Sequence, residues 1–561
     1  MKKILIILFV AVTYYAQVVT PIYVDNAKLL QFTSSNLPIF VINTNGQTII
    51  DDQKITVNLG VIYNGEGVRN NITDPFNHYN GKIGIEIRGS STQMFPKKQY
   101  GVETRDANGN DLDVSLLGFP AESDWIFYAP YTDKSLMRNF LAYSLARTMG
   151  RYATRCKYFE LVINNDYKGI YILFEKIKRD KNRVNIKKIE PTDISGDALT
   201  GGYIIKIDKW TGEGNDGWYS NFLPYLNAWQ RISYQYHIPK PEDIVSQQKA
   251  YIQNYMFNFE SKMYATNFNN PDSGYSKMID IPSFVDMFLI NEMSKNVDGY
   301  RLSTYMYKDR NSVSSKLVMG PIWDYNLAFG NADYYQGAVL TGWMLDYLNT
   351  DQGFLSSDGA VVPFWWRKIE YDTNFQNQVK TRWESIKTKG IDFNWFNSKI
   401  DSLVVYLNES QQRNFQRWPV LGVYVWPNAY IGQTFTDEIF YLKSWIRDRL
   451  NWVNDNLPGE VVSVEDEVIP IEFILNQNYP NPFNPTTTIS FSLATNCYLK
   501  LEIYNQLGEK VKTIYEGEKN AGVYKYLVDF SEYSSGVYFY TLSINSENIK
   551  LKETKKMVLL R

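Results

Sequence analysis

Cysteine and histidine are both scarce in this chain of 561 residues: there are two of each, Cys156 and Cys497, His78 and His237. Two cysteines so far apart build no disulfide framework. Two histidines nearly exclude multi-histidine zinc sites and triads built on imidazole. An excess of either charge is also missing, since 58 Lys and Arg stand against 60 Asp and Glu, a net of -2. That balance argues against nucleic acid or an anionic membrane as the main partner. Beyond the N-terminus no apolar run approaches transmembrane length. Chemistry in this chain therefore has to run on carboxylates, lysine, arginine and a metal ion.

What is present in quantity is apolar and aromatic surface. Hydrophobic residues make up 44% and aromatics 16%, enough for a large core and more than one domain. The N-terminus opens with the basic pair Lys2-Lys3 and an apolar stretch from Ile4 to Val12, followed by Ala16 before Gln17. This reads as a secretory signal peptide over residues 1–16, leaving a mature chain outside the cytoplasm with no transmembrane anchor.

From Leu37 to about Arg105 the pattern is that of strands. Leu37–Ile42, Lys54–Leu59 and Lys82–Ile87 are separated by turn residues, and Arg88-Gly89-Ser90-Ser91 leads to a further strand from Pro96. A glycine–serine turn between Arg88 and Lys97-Lys98 either cradles phosphate or forms a hairpin with solvated basic ends. Asp133 can cap a helix from Lys134 to Met149, with Gly150 closing it. Arg138 and Asn139 fall in its first turns, where a cation opposes the helix dipole, so Arg138 either serves something else or pairs with a carboxylate. Phe159–Ile163 and Lys168–Phe174 flank the polar turn Asn164-Asn165-Asp166 and predict a hairpin. It ends in Glu175, an ordinary strand-end charge or a partner for Lys97 or Lys98. A helix opens at Ile281-Pro282 and runs out near Asn296-Val297-Asp298. Val318 to Asn331, VMGPIWDYNLAFGN, then sets a carboxylate between two aromatics at the end of a buried strand. Asp324 and Asn326, two residues apart, either face the same way and hold a hard cation such as Mg2+ or form a satisfied tight turn. Phe364 to Pro458 reads as helical, its tryptophans as core packing.

Asn456 to Pro470 is linker-like, with Pro458-Gly459 and Glu465-Asp466-Glu467. Beyond it, about ninety residues of alternating strands and turns predict a small Ig-like β-sandwich. The domain reading is thus 1–16 signal peptide, 17–458 an α+β catalytic or binding domain, 459–470 linker and 471–561 sandwich.

Two resemblances follow. LNQNYPNPFNPTTTISF from Leu475, with the basic end KKMVLLR, resembles the C-terminal sorting domain of type IX secretion cargo. This implies the type IX machinery as a partner and export through the periplasm to the cell surface or beyond. IRGSS with PKKQYGVE, then DKSLMRN, NNDYKGIYILFEKI, KNVDGY and GPIWDYNLAFGN are similar, in order, to the CotH family of spore-coat-protein kinases. The resemblance implies an atypical protein-kinase-like fold that uses ATP with Mg2+ or Mn2+ and phosphorylates Ser or Thr of a secreted or surface protein. Carried over by motif, Arg88 and Lys98 contact nucleotide phosphates, Arg138 joins them, and Glu175 fixes a basic residue. Asp298 is the catalytic carboxylate, and Asp324 binds metal with Asn326. The family commonly has W-D-x-D where this chain has Asn326, one negative charge fewer, which leaves a non-catalytic surface adhesin or binding protein as the alternative. A glycan-active enzyme built on paired carboxylates lacks a clear aromatic-lined acid pair.

Overall fold

A computed structural model describes residues 32–51, 53–210, 216–349, 359–461, 473–520, 522–546 and 549–560. The proposed signal peptide and most of the linker lie outside the described residues. The chain divides into two units, Met1–Val461 and Val462–Arg561.

The first unit begins with strands β1 (Ile39–Asn43), β2 (Ile55–Ile62), β3 (Tyr79–Arg88), β4 (Gln99–Arg105), β5 (Asp124–Tyr128), β6 (Cys156–Ile163) and β7 (Asp166–Glu175). They close into a barrel in the order β1-β2-β3-β4-β5-β7-β6. Every neighbouring pair is antiparallel except the closing one, β1 with β6, where Phe40 lies opposite Leu161 in parallel register. Closure leaves no strand edge unpaired. The β-rich part therefore runs to Glu175 and not to about Arg105, because the 159–175 hairpin completes a barrel begun far upstream.

Side chains of β7 alternate between two cores. Tyr171 and Leu173 fill the barrel interior with Phe40, Phe127 and Phe159. Ile170, Ile172 and Phe174 pack outward against the helices. Burial on both faces explains why this strand reads as an unbroken apolar run.

Helix α1 (Arg138–Thr148) lies between β5 and β6. It starts later than Lys134, since Leu136 sits at a left-handed φ of 65° and interrupts the turn. Met137, not Asp133, is the N-cap and makes no side-chain cap bond; Asp133 instead accepts the first helical N–H, that of Arg138, at 2.8 Å from five residues upstream.

A five-stranded antiparallel sheet follows, built of β8 (Tyr203–Ile207), β9 (Gly217–Tyr219), β10 (Ser233–Ile238), β11 (Thr304–Lys308) and β12 (Leu317–Met319), in the order β9-β10-β8-β11-β12. Between β10 and β11 run α2 (Ser246–Tyr264) and α3 (Ile281–Ser294). Asp280 caps α3 by accepting the Ser283 N–H at 3.1 Å, and Pro282 occupies its first turn. Helices α4 (Thr373–Thr388), α5 (Phe393–Tyr406), α6 (Asn408–Arg417) and α7 (Phe435–Asn456) complete the unit. Trp365, Trp366, Trp383 and Trp445 are buried in its core, as the composition suggests. Arg449 of α7 donates to the Glu292 carbonyl at 2.8 Å and to its carboxylate at 3.2 Å. Tyr300, next to the Asp298 loop, donates to the same carboxylate at 2.9 Å, so this buried pair anchors the loop to α3 and α7.

In the second unit β13 (Ile474–Leu475), β14 (Thr486–Leu493) and β17 (Gly522–Asp529) form one sheet. A second is formed by β15 (Cys497–Tyr504), β16 (Lys510–Lys519), β18 (Gly536–Ser546) and β19 (Ile549–Leu559). Phe491 and Leu493 from one sheet share a core with Leu501, Tyr540, Leu542 and Met557 from the other. The Asn- and Pro-rich segment docks beside the last strand, where the Phe483 N–H donates to the Val558 carbonyl at 2.9 Å. Among the described residues no helix is long and apolar enough to cross a membrane.

Candidate active-site cleft

The floor of a deep cleft in the first unit is the loop after β12. The strand ends at Met319, so Asp324 lies well inside the loop and not at a strand end. Its φ of 63° is left-handed, a conformation that costs a non-glycine residue about 1 kcal/mol or more unless its surroundings hold it. Helix α1 does the holding. Tyr143 Oη accepts the Asp324 N–H at 3.1 Å and Asn139 Oδ1 accepts the Tyr325 N–H at 2.7 Å. Asn139 and Tyr143 are four residues apart and share one face of α1, which is why a single helix can grip two successive amides. Removing one grip has a calculable effect. Asn139→Ala leaves the buried Tyr325 N–H unpaired, and thermal unfolding should read a loss of about 1–3 kcal/mol. An unchanged Tm would show that this bond does not hold the loop.

The roof is the turn that follows β3. Gly89 has φ 105°, and a Cβ there would fall 2.0 Å from Thr92 Oγ1, so only glycine lets the turn fold over the cleft. Arg88 enters from the end of β3, Lys206 and Asp208 from the end of β8, Tyr305 from β11 and Asp298 from the loop after α3; all of them, with Asp324 and Asn326, line a cavity of about 570 Å³.

The cleft juxtaposes opposite charges that are not spent on one another. Arg88 and Asp324 make no side-chain hydrogen bond or close ion pair among the described residues, nor does the amide of Asn326, which is 9% exposed. Asp324 is an exposed residue of the cleft lining. Burial first, and then the Asp298 and Asp208 carboxylates, raise it to about 6; Arg88 and Lys209 pull the other way. Burial also lowers the proton affinity of Arg88, against the attraction of Tyr305 and Asp324. Asp298 is held by Arg301 Nη2 at 3.0 Å. Among the described residues no three His, Cys, Asp or Glu side chains form a ready cage for a metal. The donors present are instead a carboxylate and an amide oxygen beside a free guanidinium. They fit a hard cation such as Mg2+ that takes one or two protein ligands and completes its shell with phosphate oxygens and water.

Four of the residues singled out in the sequence, Arg88, Asp298, Asp324 and Asn326, thus converge. Lys98, Arg138 and Glu175 are not among the lining residues. Lys98 donates to the Gln93 carbonyl and braces the roof turn from outside the cleft. Arg138 is 1% exposed and paired with Asp133 at 2.6 Å; it also donates to the Ala328 carbonyl at 3.1 Å, so it fastens the far end of the Asp324 loop to α1. Glu175 fixes Arg155 at 2.7 Å and Arg183 at 3.2 Å, not Lys97 or Lys98. Lys97 donates to the Ile170 carbonyl at 2.6 Å, which lies roughly 16 Å along β7 from Glu175 at 3.3 Å per residue. Lys206, Asp208 and Lys209 were missed. Their signal was a polar alternation, Lys206 and Asp208 around Ile207, closing an otherwise apolar strand.

Residues 85–453 match the family described as CotH kinase protein, a span that holds every residue of this cleft except Asp51. Residues 477–559 match the secretion system C-terminal sorting domain. No curated protein matches the chain. A sorting domain of this type directs its carrier through the type IX machinery to the cell surface or the outside. The chain belongs to the CotH family and carries a C-terminal type IX sorting domain.

Proposed function

We propose that the cleft is the active site of a secreted atypical protein kinase, which transfers the γ-phosphoryl group of ATP to Ser or Thr hydroxyls of a secreted or surface protein. The observation that carries this reading is the pairing of an unengaged guanidinium, Arg88, with an unengaged carboxylate and amide, Asp324 and Asn326, across one cleft. Arg88 holds phosphate oxygens, and Lys209 at the rim adds positive charge. Asp324 and Asn326 hold Mg2+ or Mn2+, as an Asp and an Asn do in ordinary kinases. When bound, the metal–ATP pair supplies a charge-neutralised γ-phosphorus and ADP as leaving group. Asp298, oriented by Arg301, accepts a hydrogen bond from the acceptor hydroxyl and takes its proton as the new O–P bond forms. The barrel with its roof turn and the α-rich part then play the roles of the two lobes of a kinase.

With purified protein, ATP, Mn2+ and a Ser-rich acceptor, phosphate transfer is expected. Asp298→Ala should lower kcat by about 10²–10⁴-fold, the range for a general base, while calorimetry shows nucleotide affinity kept. Absence of both transfer and nucleotide binding would sink the proposal. It would leave the surface-binding reading, which the loss of a charge at Asn326 favours.

A further inference from the structure

The cleft does not end at Asp208 and Lys209. Those two residues and Leu302 also line a second groove of about 350 Å³. Arg301 lies in the wall of this groove and pairs with Asp298, which lines the cleft, so one ion pair separates the two spaces. Anything seated in the groove is next to the proposed catalytic carboxylate.

The groove is unusual in what it exposes. Tyr219 is 53% and Trp229 73% exposed, and Trp210 meets Tyr219 edge-on with centroids 5.7 Å apart. Leu226, in the loop that carries Trp229, is 87% exposed. Contiguous aromatic surface of this kind marks a place where a partner docks. Its charge is positive: Lys209 has no side-chain partner among the described residues, and Arg231 has the Ser220 carbonyl at 3.4 Å. The acidic group in the wall, Asp208, is occupied by Lys206 at 3.3 Å.

We propose that this groove seats the acceptor polypeptide, and that the acceptor is a serine with carboxylates beside it, with the aromatic wall packing on its apolar neighbours. The inference rests on the reading of the cleft as a phosphoryl-transfer site. Charge complementarity selects the occupant: Lys209 and Arg231 attract acidic residues and repel a basic segment. This chain itself contains such a sequence, Ser463-Val464-Glu465-Asp466-Glu467, which supplies a natural probe.

The test uses a labelled peptide of residues 459–469, added to the full chain without nucleotide and followed by fluorescence anisotropy. Trp229→Ala and Arg231→Glu, both surface changes, should each weaken binding by about tenfold, as expected for interface anchors, and a version with lysine in place of the three acidic residues should not bind. Equal binding of the lysine peptide, indifference to both variants, or binding of oligosaccharides alone would overturn the groove assignment. Binding without phosphorylation when ATP and Mn2+ are added would support the groove and count against the kinase reading. Phosphorylation untouched by both variants would do the reverse.

Discussion

Asp324→Ala is expected to abolish divalent-metal binding and to lower phosphoryl transfer by about a thousandfold or more. A metal that polarises the transferring group contributes several kcal/mol of transition-state stabilisation, and each 1.36 kcal/mol is about tenfold in rate. Asp298 is tied to Arg301 and Asp208 to Lys206, and Asn326 carries no charge. The raised carboxyl also gives the effect a pH signature. Burial and the neighbouring carboxylates bring Asp324 to about 6 from 3.8, so the folded state holds its proton more tightly than the unfolded chain. The stability this contributes is present in acid and is lost as pH rises through about 6. In metal-free protein Asp324→Asn should therefore raise Tm at pH 8, with the gain vanishing toward pH 4. A cation offsets the same repulsion, so the Tm increase produced by Mn2+ on the wild type should grow between pH 5 and 7 and be absent in the variant. A Mn2+ shift that ignores both pH and the substitution would place the metal elsewhere.

Arg138→Ala is expected to cost about 3–5 kcal/mol of stability, the range for removing one partner of a buried ion pair. The change strands Asp133, which is 1% exposed, and releases the Ala328 carbonyl at the end of the Asp324 loop. Arg138→Lys should not rescue it, because the guanidinium serves Asp133 and Ser135 through Nη1, the Ala328 carbonyl through Nε and the Phe329 carbonyl through Nη2, a planar fork that an ammonium cannot match. Thermal unfolding should show a drop of several degrees for both variants, with ATP affinity little changed in folded protein at low temperature. A normal Tm together with lost ATP affinity would return Arg138 to the phosphate-binding role that the family motif suggested.

Local pattern was enough for much of this protein. The proline-led start of α3, the barrel strands other than β5, the apolar hairpin ending at Glu175 and the alternating strands of the second unit are written in short-range periodicity and turn chemistry. The loop of Asp324 and Asn326 was only half written there: its turn residues mark the break, but the left-handed φ of Asp324 is held by Tyr143 and Asn139 of α1. Tertiary structure alone decided which charges meet. Closure of β1 on β6, between segments far apart in the chain, extended the barrel past Arg105. Packing of distant segments set Lys97 against Ile170 and Asn414, and Glu175 against Arg155 and Arg183. Arg138 met Asp133 and the Ala328 carbonyl, and Asp208 reached the cleft from β8. The physical reason is one of range. Periodicity records which face of an element is buried, a property of neighbours in sequence, whereas the partner of a buried charge is set by the register and crossing of elements that sequence spacing does not encode.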